Sequence, residues 1–156
     1  MSDLKHRLDS FELNDITALI CVDIQEIQGQ IVNDLDKLGY KLHTGLFAED
    51  AELKLQTHPY DFVIISEHYN ASNLETNPLL RAMLDVQSSQ RRRQVVALIG
   101  PSLHTDSEME AWANSVDLVI SPGDIENFQT VVKRAVQRQK LFYTPIAEVL
   151  LEAGLV

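Results

Sequence analysis

Polar residues with chemically useful side chains directly follow two short apolar runs of the sequence. They are Asp23 after the first run, and Ser66, Glu67 and His68 after another. An alcohol, an imidazole and a carboxylate are the groups of a nucleophilic triad. However, no Gly-x-Ser-x-Gly turn surrounds Ser66, so we favour an ordinary polar loop over a catalytic serine.

The histidines offer a second chemistry, because His68 and His104 together with Asp23 and Glu67 could hold a metal ion. The five histidines show neither the His-x-x-His nor the Glu-x-x-His spacing of local metal sites. We therefore predict no metal centre and no bound cofactor. The sequence also lacks a glycine-rich phosphate-binding loop, which argues against a nucleotide-dependent enzyme.

The composition is that of one soluble globular domain. The chain has 156 residues, of which 45% are hydrophobic and 23% are charged. The formal net charge of −10 opposes nucleic-acid binding by the bulk of the domain. The single cysteine, Cys21, lies in an apolar run, which predicts a buried free thiol in a reducing cytoplasm. We find no leader sequence and no apolar run near the roughly 20 residues that cross a bilayer.

Five apolar runs alternate with stretches of helical periodicity, each run preceding one such stretch. The predicted strands are residues 17–22, 40–46, 62–65, 95–99 and 118–120. The predicted helices are residues 24–38, 48–57, 78–93, 105–113 (with Met109, Ala111 and Trp112) and 125–136. This alternation predicts an α/β fold with a parallel sheet covered on both faces. Right-handed crossovers then favour a three-layer, doubly wound, flavodoxin-like sheet in the order 2-1-3-4-5.

Two segments lie outside this predicted core of residues 16–140. Residues 1–15 form an extension in which Leu4, Leu8 and Phe11 share one helical side. Residues 141–156 form a tail in which a helix starts at Thr144-Pro145. Each helix is too short to be stable alone. Each must therefore pack either on the domain or on a partner, and the sequence leaves both alternatives open.

The order and spacing of these elements resemble the receiver domain of bacterial response regulators. The resemblance covers roughly residues 16–140. It is carried by residues 19–25, 60–66, 94–100 and 115–122, which resemble the ends of the first, third, fourth and fifth strands of the family. It implies a signalling domain rather than an enzyme.

The residues that receivers use for phosphorylation are mostly replaced in this chain. In the family, two adjacent acids follow the first strand, an aspartate ends the third, Thr or Ser ends the fourth and Lys-Pro ends the fifth. Asp23 and Pro122 match this pattern. The replaced positions carry Ile24, Ser66, Ile99 and Ser121, and Leu118 stands in place of an aromatic residue. Phosphoryl transfer needs a carboxylate nucleophile, a cation held by acidic oxygens and fixed positive charge. The resemblance therefore implies a degenerate receiver that is not phosphorylated by the usual route.

Without phosphorylation, we expect output by protein association, with a partner or as a homodimer. The resemblance points to the surface of the fourth helix, the fifth strand and the fifth core helix, continued by the tail. The predicted contact residues are Leu118, Phe128, Lys133, Arg134, Tyr143, Ile146, Val149 and Leu150. We expect no nucleic acid or membrane as a partner.

Two other interpretations stay open. A small-ligand sensor or enzyme would use a pocket at the carboxyl edge of the sheet, bordered by Asp23, Ser66, Glu67, Ser102 and Ser121. The run Arg91–Arg93 would either bind a phosphate or an acidic partner, or form a solvated cap at the end of a helix.

Overall fold

A computed structural model describes residues 14–45 and 47–154, apart from the side chains of residues 143–152. Its centre is one five-stranded sheet in the order β2-β1-β3-β4-β5, with every neighbouring pair parallel. The strands are β1 (Thr17–Cys21), β2 (Lys41–Thr44), β3 (Phe62–Ser66), β4 (Val95–Ile99) and β5 (Leu118–Ile120). The predicted doubly wound fold with the strand order 2-1-3-4-5 is confirmed.

Helices cover both faces of the sheet. They are α1 (Gln25–Lys37), α2 (Ala48–Thr57), α3 (Pro78–Leu84), α4 (Ser88–Arg91), α5 (Glu108–Ala113) and α6 (Phe128–Glu152). Short 3-10 segments occur at Tyr69–Ala71 and Pro122–Asn127. Alternate residues of each strand face opposite ways. Ile20 and Ile64 therefore pack in the cluster beneath α1 and α6, whereas Cys21 and Ile65 pack beneath α2, α3 and α5.

The helix predicted over residues 78–93 is divided in two. Helix α3 ends at Leu84, and α4 is a separate single turn. Arg91, at the end of α4, donates a 2.8 Å hydrogen bond to Asp117 and a second bond to the carbonyl of Ser115. This arginine therefore ties the segment before β4 to the segment before β5, in addition to capping a helix.

Helix α6 is longer than the sequence predicts. Its backbone stays helical from Phe128 to Glu152 and passes through Pro145, although proline removes one backbone hydrogen bond from a helix interior. The break expected at Thr144-Pro145 is therefore absent. The tail continues the last core helix and does not begin a new one. The helix predicted for residues 3–13 lies outside the described residues. None of the described helices combines the length and apolarity needed to cross a bilayer.

Candidate functional site

Ser66 and Asp23 lie side by side at the carboxyl edge of the sheet. Ser66 is the last residue of β3, is fully buried and pairs in register with Ile99 of β4. Its hydroxyl donates a 2.9 Å hydrogen bond to Asp23 Oδ1, and the Asp23 amide approaches Ser66 Oγ at 3.4 Å. Position 66 therefore faces Asp23, the acid two residues beyond the end of β1.

The loop after β3 folds back over Asp23. The backbone amide of Asn70 donates a 3.0 Å hydrogen bond to Asp23 Oδ2. Asn70 and Ala71 hold this position with φ angles of 57° and 56°, in the left-handed region, at a cost of about 1–2 kcal/mol per residue. Both carboxylate oxygens of Asp23 thus already accept a hydrogen bond from the protein.

Glu67 belongs to the opposite face of the sheet. Its side chain is buried, and its carboxylate accepts hydrogen bonds from the Ser102 amide (3.1 Å) and the Ser102 hydroxyl (2.6 Å). The ring of His68 lies 3.5 Å from the same carboxylate. A Cβ atom on Gly100 would lie 2.2 Å from Glu67 Oε1, so the glycine makes room for this carboxylate. Glu67 therefore anchors the loop after β4.

Asn77 organises the start of α3, a role that sequence reasoning missed. The residue is fully buried, and its side-chain oxygen accepts from the amides of Leu79 and Leu80. Its side-chain nitrogen donates to the carbonyls of Ser66 and Glu67. The signal was present, because asparagine followed by proline is typical of an N-cap and first helical position.

The ends of β4 and β5 meet through Thr105. Ile99 is fully buried and contributes no hydroxyl at this edge. The hydroxyl of Thr105 instead donates to the Asp124 carboxylate and accepts from the Ser121 amide. Ser107 is the N-cap of α5, and its side chain accepts from the Glu110 amide. Position 121 therefore presents a serine within a closed hydrogen-bonded turn.

The donors at this edge do not suit Mg²⁺, the ion that the resemblance implies. Magnesium prefers six oxygen ligands in near-octahedral geometry. Next to Asp23 stand the neutral hydroxyl of Ser66 and the alkyl side chain of Ile24. No group of three or more His, Cys, Asp or Glu side chains suited to a metal occurs among the described residues. One carboxylate beside a neutral hydroxyl and an alkyl side chain does not fit this ion.

The predicted ligand pocket at this edge is divided. Asp23 bonds with Ser66 on one side of β3, whereas Glu67 bonds with Ser102 on the other. The structure brings these four residues together as two separate pairs. Their polar groups satisfy one another within each pair. The structure gives no support to Ser66 as a nucleophile, because its hydroxyl donates to the carboxylate of Asp23 and not to an imidazole.

A second candidate site lies on the face formed by α5, β5 and α6, which we call the α5–α6 face. Trp112 and Met109 on α5 are 87% and 83% exposed, and Leu141 and Phe142 on α6 are 77% and 66% exposed. A groove of about 800 Å³ runs between the two helices, and Trp112, Leu141 and Phe142 line it together with Ala111, Val116 and Ala135. Large apolar side chains clustered on a surface are typical of interaction sites.

Charged pairs of both signs border this face. Asp106 pairs with Arg134 at 3.0 Å and with Arg138 at 3.5 Å. Arg91 pairs with Asp117 at 2.8 Å. Arg91 of the basic run Arg91–Arg93 and the predicted contact residue Arg134 are therefore already paired within the domain.

Two of the predicted partner contacts need correction. Leu118 and Phe128 are buried in the core beneath α1 and α6, because their strand and helix positions face the sheet interior. Lys133 and Arg134 are exposed on α6. The side chains of Tyr143, Ile146, Val149 and Leu150 lie outside the described part of the structure. The exposed apolar residues Met109 and Trp112 of α5 are not among the predicted contacts.

Comparison with solved structures supports the fold. The chain is similar to the chemotaxis response regulator CheY4 of Vibrio cholerae, with 16% identity, a TM-score of 0.61 and coverage of 78% of this chain and 99% of that one. It is also similar to a CheY-like receiver domain protein from Methanospirillum hungatei, with 14% identity, a TM-score of 0.61 and coverage of 81% and 98%. HP1043, an orphan response regulator of H. pylori, matches with 19% identity, a TM-score of 0.57 and coverage of 78% and 96%.

The sequence itself gives no such match. No protein-family profile and no curated protein matches the chain. The similarity to these solved structures therefore lies in the architecture, the strand order and the length of chain covered, and not in the sequence. The chain has the CheY-like fold of response-regulator receiver domains.

Proposed function

We propose that this domain is a regulatory module that acts by protein association and does not depend on phosphorylation. The observation that carries the proposal is the exposed apolar cluster of Trp112, Met109, Leu141 and Phe142 beside the groove on the α5–α6 face. The module binds a partner through this surface and catalyses no reaction of its own.

The carboxyl edge of the sheet supports independence from phosphorylation. A phosphoryl acceptor at position 66 would need a carboxylate, and Ser66 offers a buried neutral hydroxyl. The hydrogen bonds from Ser66 and Asn70 occupy both oxygens of Asp23. Accepting a phosphoryl group here would require breaking bonds that hold the loop over Asp23, with no lysine at position 121 to offset the charge.

The composition of the α5–α6 face supports action by protein association. Tryptophan supplies a large rigid contact area and is enriched among residues that dominate binding energy. Trp112 lies between two grooves, since it also lines a cleft with Leu84 and Arg92 on the side of α3 and α4. Burying the Trp112 side chain would remove far more apolar surface from water than burying an average surface residue.

A second copy of the chain is the partner we favour. The face carries both a ridge, at Trp112, and a groove beside it, at Leu141 and Phe142, which suits the self-complementary contact of a two-fold dimer. It also carries both charge signs, through Asp106 with Arg138 and Asp117 with Arg91. Two copies, each of net charge −10, can approach through this mixed surface with less repulsion than through an acidic one.

Sedimentation velocity of the full chain across a wide range of protein concentration tests this proposal. We expect a reversible dimer, weakened at least about thirtyfold by Trp112→Gln, since a residue of this kind contributes roughly 2 kcal/mol. Phe47→Gln is the matched control, because Phe47 is also strongly exposed but lies before α2. A chain that is monomeric at every concentration, or a dimer weakened equally by both substitutions, would contradict the proposal.

A further inference from the structure

A separate groove of about 350 Å³ lies at the opposite, amino-terminal edge of the sheet. It is bounded by the segments before β1, β2, β3 and β4 and by the middle turns of α6. Its lining residues include Ile16, Leu38, Tyr40, Asp61, Arg93, Val95, Val132, Lys133, Val136 and Lys140. The volume falls within the range of small-molecule sites, roughly 300–1,000 Å³.

The inner wall of this groove is apolar. Leu38, Tyr40, Val95 and Val136 contribute branched or aromatic surface to it. Ile16 stands at its rim and is 45% exposed, so residues 14–45 and 47–154 leave much of this large aliphatic side chain uncovered. Burial, aided by the charge of Asp61, raises the pKa of Tyr40 to about 12. The phenol therefore stays neutral, and the wall keeps its apolar character.

The rim of the groove is cationic. Lys133 and Lys140 are seven residues apart on α6, so they share one side of the helix at a separation of about 10 Å. Arg93 lines the groove from the segment before β4. Within residues 14–45 and 47–142, no ion pair is recorded for any of these three cations, whereas Arg91, Arg134 and Arg138 are paired with aspartates.

One acidic group also lines the groove and must be set against these cations. Asp61 Oδ2 accepts a 2.8 Å hydrogen bond from the Thr17 amide and a longer one from the Thr17 hydroxyl. This carboxylate is thus bound to the start of β1. Three cations facing one hydrogen-bonded carboxylate leave a local positive excess in a chain whose net charge is −10. Such an excess favours an anion.

We infer that this groove binds a small organic carboxylate with an apolar body, of the alkyl or aryl class. The body lies against Leu38, Tyr40, Val95 and Val136, and the carboxylate meets Lys133, Lys140 and Arg93. This site is separate from the α5–α6 face, although Gln139 lines both grooves. It uses the side of α6 that carries Val132 and Val136, whereas the association groove uses Ala135, Leu141 and Phe142.

An NMR titration of the ¹⁵N-labelled full chain with octanoate tests the inference. We expect saturable shifts at the amides of Val95, Val132 and Val136. Octanol lacks the charge and should bind at least about tenfold more weakly, in line with one charge-assisted hydrogen bond. Acetate lacks the apolar body and should also bind at least about tenfold more weakly, because it buries less apolar surface. Lys133→Met combined with Lys140→Met keeps the alkyl stems and should weaken octanoate by about tenfold or more.

Arg81→Met is the control for loss of a cation elsewhere, on α3, and should leave octanoate binding unchanged. Equal affinity of the double lysine variant, shifts confined to another surface, or no saturation in the wild type would overturn the inference. It would also be overturned if Leu4→Ser and Leu8→Ser alone shifted the amides of the groove residues. That outcome would assign the groove to the chain's own first residues.

Discussion

The Ser66 hydroxyl and the Asp23 carboxylate form a 2.9 Å hydrogen bond between the ends of β3 and β1. The Ser66 oxygen also lies 3.3 Å from the carbonyl of Cys21. This buried serine therefore fixes the loop that follows β1. In the degenerate receiver that we propose, a structural contact therefore stands where a phosphoryl acceptor would be.

Ser66→Ala tests this structural role. We expect the free energy of unfolding, measured by urea titration, to fall by about 1 kcal/mol, the usual net value of one hydrogen bond. Ser89→Ala, on the exposed side of α4, serves as the control and should change it by less than about 0.5 kcal/mol. An unchanged stability in Ser66→Ala would show that the hydrogen bond contributes nothing.

Gly100 is required because Glu67 fills the space that a Cβ would take. The added carbon would lie 2.2 Å from Glu67 Oε1 and 2.3 Å from Glu67 Cβ. We expect Gly100→Ala to lower the free energy of unfolding by about 3 kcal/mol, as overpacking does. Gly29→Ala is the matched control, since no atom lies within 4 Å of its added carbon in the exposed interior of α1. There, alanine should raise stability by about 1 kcal/mol. Equal effects of the two substitutions would refute the packing argument.

His58 should make stability depend on pH. Burial lowers the pKa of this imidazole below its ordinary value of 6.5, and the charge of Asp61 opposes part of the shift. The ring contacts His43 and Tyr60 and bonds to the Thr17 hydroxyl. The folded state therefore takes up this proton less readily than the unfolded chain. The contribution of neutral His58 to the free energy of unfolding is complete above the unfolded-state pKa of 6.5. It is lost as the pH falls through the lower pKa of the folded state.

Urea unfolding midpoints, measured above pH 6.5 and below the pKa of His58 in the folded state, check this prediction. The wild type should lose stability on acidification, and His58→Gln should lose less, because the shifted group is gone. His68→Gln removes an exposed imidazole instead and should keep the decline of the wild type. An equal loss of stability on acidification in the wild type and in His58→Gln would contradict the role of His58.

Most of the sheet could be predicted from the sequence because β1, β3, β4 and β5 are short, buried and mostly apolar. Ser66 and Glu67 face opposite ways, as neighbouring residues of a strand do, and their hydrogen bonds to Asp23 and Ser102 lie on different sides of β3. The tertiary contacts of the loops were harder to foresee. The bonds from Asn70 to Asp23 and from Thr105 to Asp124 join segments that are distant along the chain and follow no periodicity.

The α5–α6 face could not be predicted from the sequence for a different reason. Helix α5 has only six residues, which is less than two turns and too short for its apolar spacing to define one buried side. Ala111 is buried, whereas Met109 and Trp112 are exposed. Leu118 and Phe128 were placed on the surface through the resemblance, although their positions face the core. For short elements, exposure is set by neighbouring helices, which sequence periodicity does not report.

Self-association that is independent of phosphorylation is the central claim, and one measurement tests it most directly. The dimer dissociation constant of the full chain is determined by sedimentation with and without Mg²⁺ and beryllofluoride, a mimic of the phosphoryl group. We predict the same constant under both conditions, because Ser66 supplies no carboxylate and both oxygens of Asp23 are hydrogen-bonded. A saturable change in oligomeric state on adding Mg²⁺ and beryllofluoride, abolished by Asp23→Asn, would contradict the claim.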